Sequence, residues 1–218
     1  MAEHMTEKQD GVLDKDISVF QFRQSMYELL HLLFAQPLLK KDYLEIQQQG
    51  NLEPIRSFGE GGELLYKFFT NNNVNNLKDE QQEFYRLFVG PGTLLAPPWE
   101  SVYRGTDKIL HDYPSLEMSQ LYDRFGLELI KENIEAEDHL ALELEFIIYL
   151  IEKGLTDNKF ISLFTEGQRL LVLHHFSKWI PDFSRDVVKH TESDLYKGSA
   201  LLLDEFIRFD SQYLQELD

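Results

Sequence analysis

The sequence contains no cysteine, so disulfides, thiolate metal sites and cysteine nucleophiles are excluded. It is also poor in positive charge: 21 Lys+Arg stand against 38 Asp+Glu, a formal charge of −17. Nucleic-acid binding needs a basic footprint, and an anionic membrane surface repels such a chain. No apolar run reaches the ~18 residues of a spanning helix, and no basic region followed by an apolar stretch opens the chain. Neither membrane insertion nor a signal peptide is expected. Alternation of period two is nearly absent, which leaves little room for strands. Gly59, Gly61 and Gly62 are clustered but lack the Lys-Ser/Thr of a phosphate cradle, and they read as a turn leading into a helix. Nucleophile-elbow and zincin patterns are missing too. No cofactor is expected.

What is present is 43% hydrophobic and 13% aromatic residues over 218 positions, enough for one globular core. The acidic field favours a basic partner such as an Arg-bearing peptide, although solubility alone is a sufficient account of the charge. Residues 1–15 are expected to be a flexible N-terminus, with Met-Ala-Glu-His-Met resembling a cloning remnant and Met5 a native start. Residues 16–218 are expected to form one all-helical domain.

The periodicity predicts an all-α, single-domain bundle of roughly ten helices with a long Pro-rich loop. Asp16 is the expected N-cap of a first helix over 17–35, closed by Pro37, with Phe20, Met26, Tyr27, Leu30, Leu33 and Phe34 on its apolar face. Helices follow at about 40–48, 63–70 and 77–89, with Asn76 available as a cap. Pro114-Ser115 restarts helix until Gly126, and Leu127, Leu129 and Ile130 suit a short extended piece. The run over 137–153 is apolar on nearly every side, the mark of a central buried helix. Helices at about 157–180, 182–190 and 193–215 complete the chain, broken at Pro181.

One stretch departs from this regularity. Residues 84–103 start as helix, break at Gly90-Pro91-Gly92 and pass through Pro97-Pro98 into Trp99-Glu100-Ser101. Proline removes a backbone donor and restricts its predecessor, so 89–99 is not regular helix. Yet Leu94, Leu95, Trp99 and Tyr103 make it unusually apolar for a solvated loop; it either packs on a core or lines a groove. Elsewhere, Glu28-x-x-His31 matches half of a carboxylate-bridged two-metal pattern, with no second half in the chain. His31 reads as a core or rim histidine, and His174-His175 as structural. Glu135, Glu137 and Asp138 suit the positive end of the central helix, whereas His139 does not. A metal- or nucleotide-dependent hydrolase using Asp138 and His139 is an alternative reading, against which stands the lack of a nearby nucleophile in sequence.

Two of these segments together resemble the TorD/DmsD family of redox-enzyme maturation chaperones. The first is Phe84-x-x-Leu87-Phe88, Gly90-Pro91, Pro97-Pro98-Trp99 and Ser101-x-Tyr103, with Glu80 upstream. The second is Glu135-Ala136-Glu137-Asp138-His139, where the family usually has Pro in place of Ala136. A third likeness is His175-x-x-x-Trp179-x-Pro181-x-Phe183, followed by Tyr196; Lys178 replaces a family proline. The resemblance covers residues from about 18 to the end. It implies a cytoplasmic, non-enzymatic chaperone that binds the twin-arginine (Tat) signal peptide, and in some members the body, of an apo molybdenum-cofactor oxidoreductase until cofactor insertion and export. It also implies a monomer or a domain-swapped homodimer. An assembly factor for a nitrate-reductase-type enzyme without Tat export shares the same pattern. On this reading Leu87, Phe88, Pro97, Pro98, Trp99 and Tyr103 supply an apolar wall. Glu100, Asp138 and Glu135 offer carboxylates to arginine, Ser101 is a further contact, and His139 is a pH-sensitive neighbour. Phe84, and equally Leu87 and Phe88, also fit a plain core role.

Overall fold

The computed structural model describes residues 2–49, 52–71, 73–105, 112–128 and 135–217. Among these the chain is all-α and contains no strand; its helices are α1 (Ala2–Ala35), α2 (Lys40–Gln49), α3 (Glu53–Arg56), α4 (Gly59–Thr70), α5 (Leu77–Phe84), α6 (Glu100–Arg104), α7 (Tyr113–Arg124), α8 (Leu140–Thr156), α9 (Ile161–Leu170), α10 (Ser177–His190) and α11 (Asp194–Glu216). None is long and apolar enough to cross a membrane.

The packing follows the apolar stripes. On α1, Tyr27, Leu30 and Leu33 turn fully inward and lie against α8, whose Leu140, Leu144, Ile147 and Ile151 are also fully buried. Helix α8 also packs on α9, and α11 packs on α4 and α10. Three of these elements are joined by a buried polar staple. The Arg23 guanidinium on α1 forks onto Asp210 of α11 and donates to Gln168 of α9 at 2.7 Å, while the Tyr27 hydroxyl donates to Asp210 at 2.6 Å. Each charge in that staple is met by its opposite and by a neutral partner, an acceptor (Gln168) for Arg23 and a donor (Tyr27) for Asp210, the condition under which burial of ions is tolerated.

The glycines at 59–62 are not a simple lead-in. A Cβ on Gly61 would stand 2.3 Å from the backbone nitrogen of Leu202, and one on Gly62 would stand 1.7 Å from the Ile55 carbonyl. They lie inside α4 and let its first turn touch α11 and α3 backbone to backbone. Helix α4 therefore begins at Gly59 rather than at 63.

Other boundaries also differ. Helix α1 runs back to Ala2, so Asp16 lies within it and not at its start. Asn76 precedes α5 without a side-chain cap bond, whereas Asp112 caps α7 by accepting from the Tyr113 amide at 2.7 Å. Pro181 sits inside α10; the break comes earlier, at a widened turn over Leu171–Phe176 that separates α9 from α10. A matching widened turn, Tyr85–Val89, follows α5 and ends with the Gly90 amide donating to the Tyr85 carbonyl at 2.7 Å. Such i→i+5 turns re-aim a helix without ending it. Gly90 then takes φ +100°, a conformation that a side chain disfavours. Gly126, at φ +68°, ends α7 as expected. Leu127 is half-buried and irregular, and Leu129 and Ile130 lie outside the described residues.

Candidate functional site

The two motif segments meet. After Gly90 the Pro-rich loop folds back, with the Ala96 amide donating to the Leu87 carbonyl at 3.1 Å. It then pairs antiparallel with the strand-like residues before α8: Leu140 N–H donates to the Pro98 carbonyl at 2.9 Å, and Glu100 N–H donates to the Asp138 carbonyl at 3.1 Å. Trp99 and His139 face one another at the centre of this bridge, ring centroids 5.1 Å apart and edge-on. Pro97 and Pro98 lose nothing here, because the bridge uses a proline carbonyl and not a proline amide.

Each side of the bridge starts a helix, and the caps are exchanged. Trp99 occupies the N-cap position of α6 but offers no side-chain acceptor; Asp138 supplies it from the other segment, its Oδ2 accepting from the Ser101 amide at 2.6 Å. His139 is itself the N-cap of α8, its Nδ1 accepting from the Ala141 amide at 3.1 Å. So the residue that seemed misplaced at a helix start is the cap, while Glu135, Glu137 and Asp138 precede the helix. Capping requires a neutral imidazole, and burial lowers the His139 pKa to about 4.

Beside this bridge lies a cleft of about 800 Å³. Phe84 and Phe88 form part of its floor, Pro98, Trp99 and His139 one wall, and Ala141, Leu142, Phe146 and Tyr149 of α8 another; Glu128, Glu135 and Glu145 bring carboxylates to it. All three glutamates are exposed. Glu135 has a raised pKa, caused by partial burial and opposed by the neighbouring Trp99 indole.

The expected contact residues therefore divide. Phe88, Pro98, Trp99, Glu135 and His139 line the cleft. Leu87, Glu100, Ser101 and Asp138 are fully buried behind it. Tyr103 stacks on Trp179 at 5.7 Å, away from the cleft, and Asp186 lies near its phenol, which burial keeps protonated. Pro97 is half-buried in the loop without lining the cavity. Phe84 is both core and floor, touching Phe88 at 5.2 Å and Tyr196 at 6.1 Å.

Sequence reasoning missed Glu128, Glu145 and the α8 wall. The available signal was the half-exposed stripe Ala141–Glu145–Tyr149, at i, i+4 and i+8, on a helix that otherwise reads as buried all round. It also missed what the third motif does. His175 Nδ1 lies 2.8 Å from Glu100 Oε2, and Trp179 Nε1 donates to Glu143 Oε2 at 3.2 Å, so that motif supports the loop from beneath. Glu80 accepts from Ser193, which in turn caps α11. His31 is half-buried, its pKa lowered by burial, and Glu28 beside it is exposed, consistent with a rim position.

Comparison with known proteins gives the family of the chain. The family described as nitrate reductase delta subunit matches residues 56–185. The chaperone protein TorD of Vibrio parahaemolyticus is 30% identical over 206 residues, spanning 88% of this chain and 94% of that protein. The chain belongs to the TorD/DmsD family of redox-enzyme maturation chaperones. Family relatives named chaperone protein TorD from Photobacterium profundum and a Psychrobacter species are 27% and 25% identical, over 88% and 89% of this chain and 94% and 92% of theirs. Among solved structures, one described as a redox enzyme maturation protein from Archaeoglobus fulgidus aligns with a TM-score of 0.49 at 18% identity, covering 89% of this chain and 94% of that one. In this chain the two motif segments form a single bridge-and-cleft unit, with half-buried Trp99 and His139 on the cleft side and buried Asp138, Glu100 and His175 beneath.

Proposed function

We propose that the cleft binds the twin-arginine signal peptide of an apo molybdenum-cofactor oxidoreductase, and that the protein acts as its chaperone in the cytoplasm. The observation that supports this most is the pairing of surfaces in one cavity: an aromatic floor and wall with three exposed glutamates at hand. A twin-arginine signal peptide offers the complement, an apolar stretch beside two guanidinium groups. The volume lies within the ~300–1,000 Å³ usual for binding pockets, so it suits a short segment of the peptide rather than its whole length.

The roles differ from those a flat motif reading assigns. Trp99 is the contact residue, because it is only half-buried and faces the cavity. Asp138 acts through the backbone it holds, and Glu100 is already engaged by Arg104 and His175. Arginine recognition then falls to Glu128, Glu135 and Glu145, where a charge-assisted bond is worth ~1.5–3 kcal/mol if shielded and far less at an open rim.

A second reading has one specific support, the family description that mentions a nitrate reductase subunit. On it the client is a nitrate-reductase-type enzyme without an exported peptide. Calorimetric titration with synthetic peptides separates the two. The first reading expects binding by a twin-arginine peptide, weakened about tenfold or more by Trp99→Ala, since buried aromatic anchors dominate such interfaces. Absence of heat with a panel of such peptides, alongside binding of a nitrate-reductase segment that lacks paired arginines, favours the second.

A further inference from the structure

Directly beneath the cleft wall, one residue from Trp99 and four from His139, sits a group of side chains that the peptide reading does not use. Glu100 of α6, Glu143 of α8 and His175 of the widened turn before α10 each present a ligating atom, and those atoms lie within 4.8 Å of one another. Both glutamates are fully buried and His175 nearly so. Glu100 is held by Arg104 through one oxygen and faces His175 Nδ1 at 2.8 Å through the other. Glu143 accepts from Trp179 through Oε2, while its Oε1, also out of contact with solvent, meets no donor. Asp138 Oδ1 is in the same condition.

Charge makes the deficit plain. Glu100, Glu143 and Asp138 bring three carboxylates and Arg104 one guanidinium, which leaves two negative charges in a dry interior. Ionised carboxylates are not kept there without compensation. Two additions restore neutrality: two protons, or one divalent cation. The Glu143 Oε1 atom, out of contact with solvent and without a donor, is where a positive partner of one kind or the other is missing.

We propose that Glu100, Glu143 and His175 form a binding site for one divalent transition-metal cation, Zn²⁺ or Mn²⁺. The donor set selects the class: imidazole nitrogen with carboxylate oxygens suits these ions, whereas Mg²⁺ and Ca²⁺ take oxygen ligands alone. The spacing is compatible, since ligands at about 2.0–2.2 Å from a shared ion lie roughly 3–4 Å from each other. Second-shell groups are in place as well. Arg104 and Trp179 already orient the two carboxylates, the kind of outer support metal sites use. Because the three ligands come from α6, α8 and the turn before α10, the ion would fasten the Pro-rich loop to the core behind Trp99.

The test uses the full chain, stripped with a chelator and titrated at neutral pH with ZnCl₂, MnCl₂ or MgCl₂. Elemental analysis gives stoichiometry and thermal unfolding gives the shift. The expected result is one Zn²⁺ or Mn²⁺ per chain and a Tm rise of about 5 °C or more at roughly 100 times Kd, with no effect of Mg²⁺. Glu143→Gln keeps the side chain's size and can donate to Glu100, so it folds; its affinity for the cation falls about tenfold or more. His174→Ala, at the exposed neighbouring histidine, leaves the shift intact. The proposal is overturned if neither cation raises Tm, if the rise at the same cation concentration is undiminished in Glu143→Gln, or if it disappears with His174→Ala. In those cases the cluster is neutralised by protons, or the metal binds at the surface.

Discussion

His139 shows how a single residue links the fold to the cleft. Its imidazole caps α8 only when neutral, and its pKa falls to about 4 in the folded chain from an ordinary value near 6.5. Between those values the unfolded chain takes up a proton that the folded chain refuses, so this group's contribution is complete above pH ~6.5 and drains away as pH falls towards 4. His139→Asn keeps a good capping side chain and removes the titration. Urea denaturation at pH 7 and at pH 4.5 should show the variant losing less stability than the parent on acidification, by about 2 kcal/mol. Glu143 has the opposite sign. In the cation-free chain its raised pKa means that the fold keeps a proton the unfolded chain releases above pH ~4.5, so its contribution there is strongest in acid and is lost as pH rises. Equal acid losses in parent and His139→Asn would show that the imidazole is not held neutral. The Asp138–His139 pair was legible as a special position, but its physical job was not. Asp138 caps a helix in another part of the chain, and no local pattern carries that information.

Among the elements, helix existence was readable and helix continuity was not. The apolar spacing of α1, α8 and α11 survives intact in the structure because burial, not intrinsic propensity, holds them. The Pro-rich loop was legible for the reverse reason: Gly90-Pro91 and Pro97-Pro98 cannot propagate a helix. The widened turns at Tyr85–Val89 and Leu171–Phe176 left no mark, since one extra residue per turn barely disturbs an apolar stripe. They account for the misplacement of the break to Pro181. The close contact of α4 with α11 was also hidden, because glycines that allow helix contact look the same in sequence as glycines in turns. A Cβ on Gly61 meets the backbone of Leu201 and Leu202, which cannot swing aside like a side chain. Gly61→Ala is therefore expected to destabilise by about 1–3 kcal/mol despite alanine's better helix propensity. Gly92→Ala, where nothing lies within reach of a Cβ, isolates the cost of the φ +122° backbone alone. Chemical denaturation of both variants separates steric conflict from strain; an unchanged Gly61→Ala midpoint contradicts the packing.

For the molecule as a whole, two features act over its full width. The Arg23–Asp210 pair joins the first long helix to the last, with both side chains fully buried. Asp210→Ala leaves the guanidinium without its counter-charge and should lower stability by about 3–5 kcal/mol, read from urea midpoints; a loss below 1 kcal/mol would mean that Arg23 finds water. The net charge of −17 spreads an attractive field for a cationic peptide. Association with it should slow markedly as salt rises from about 50 to 500 mM, when the screening length falls below the size of the cleft. The central claim is that the cleft beside Trp99 and His139 holds a twin-arginine signal peptide. Hydrogen exchange of the protein with and without a saturating peptide tests it most directly. The account predicts added protection in residues 97–101 and 139–149, reduced at the same peptide concentration in Trp99→Ala and when both peptide arginines are replaced by glutamine. Protection confined to other helices, or unchanged exchange across the cleft at saturation, would contradict it.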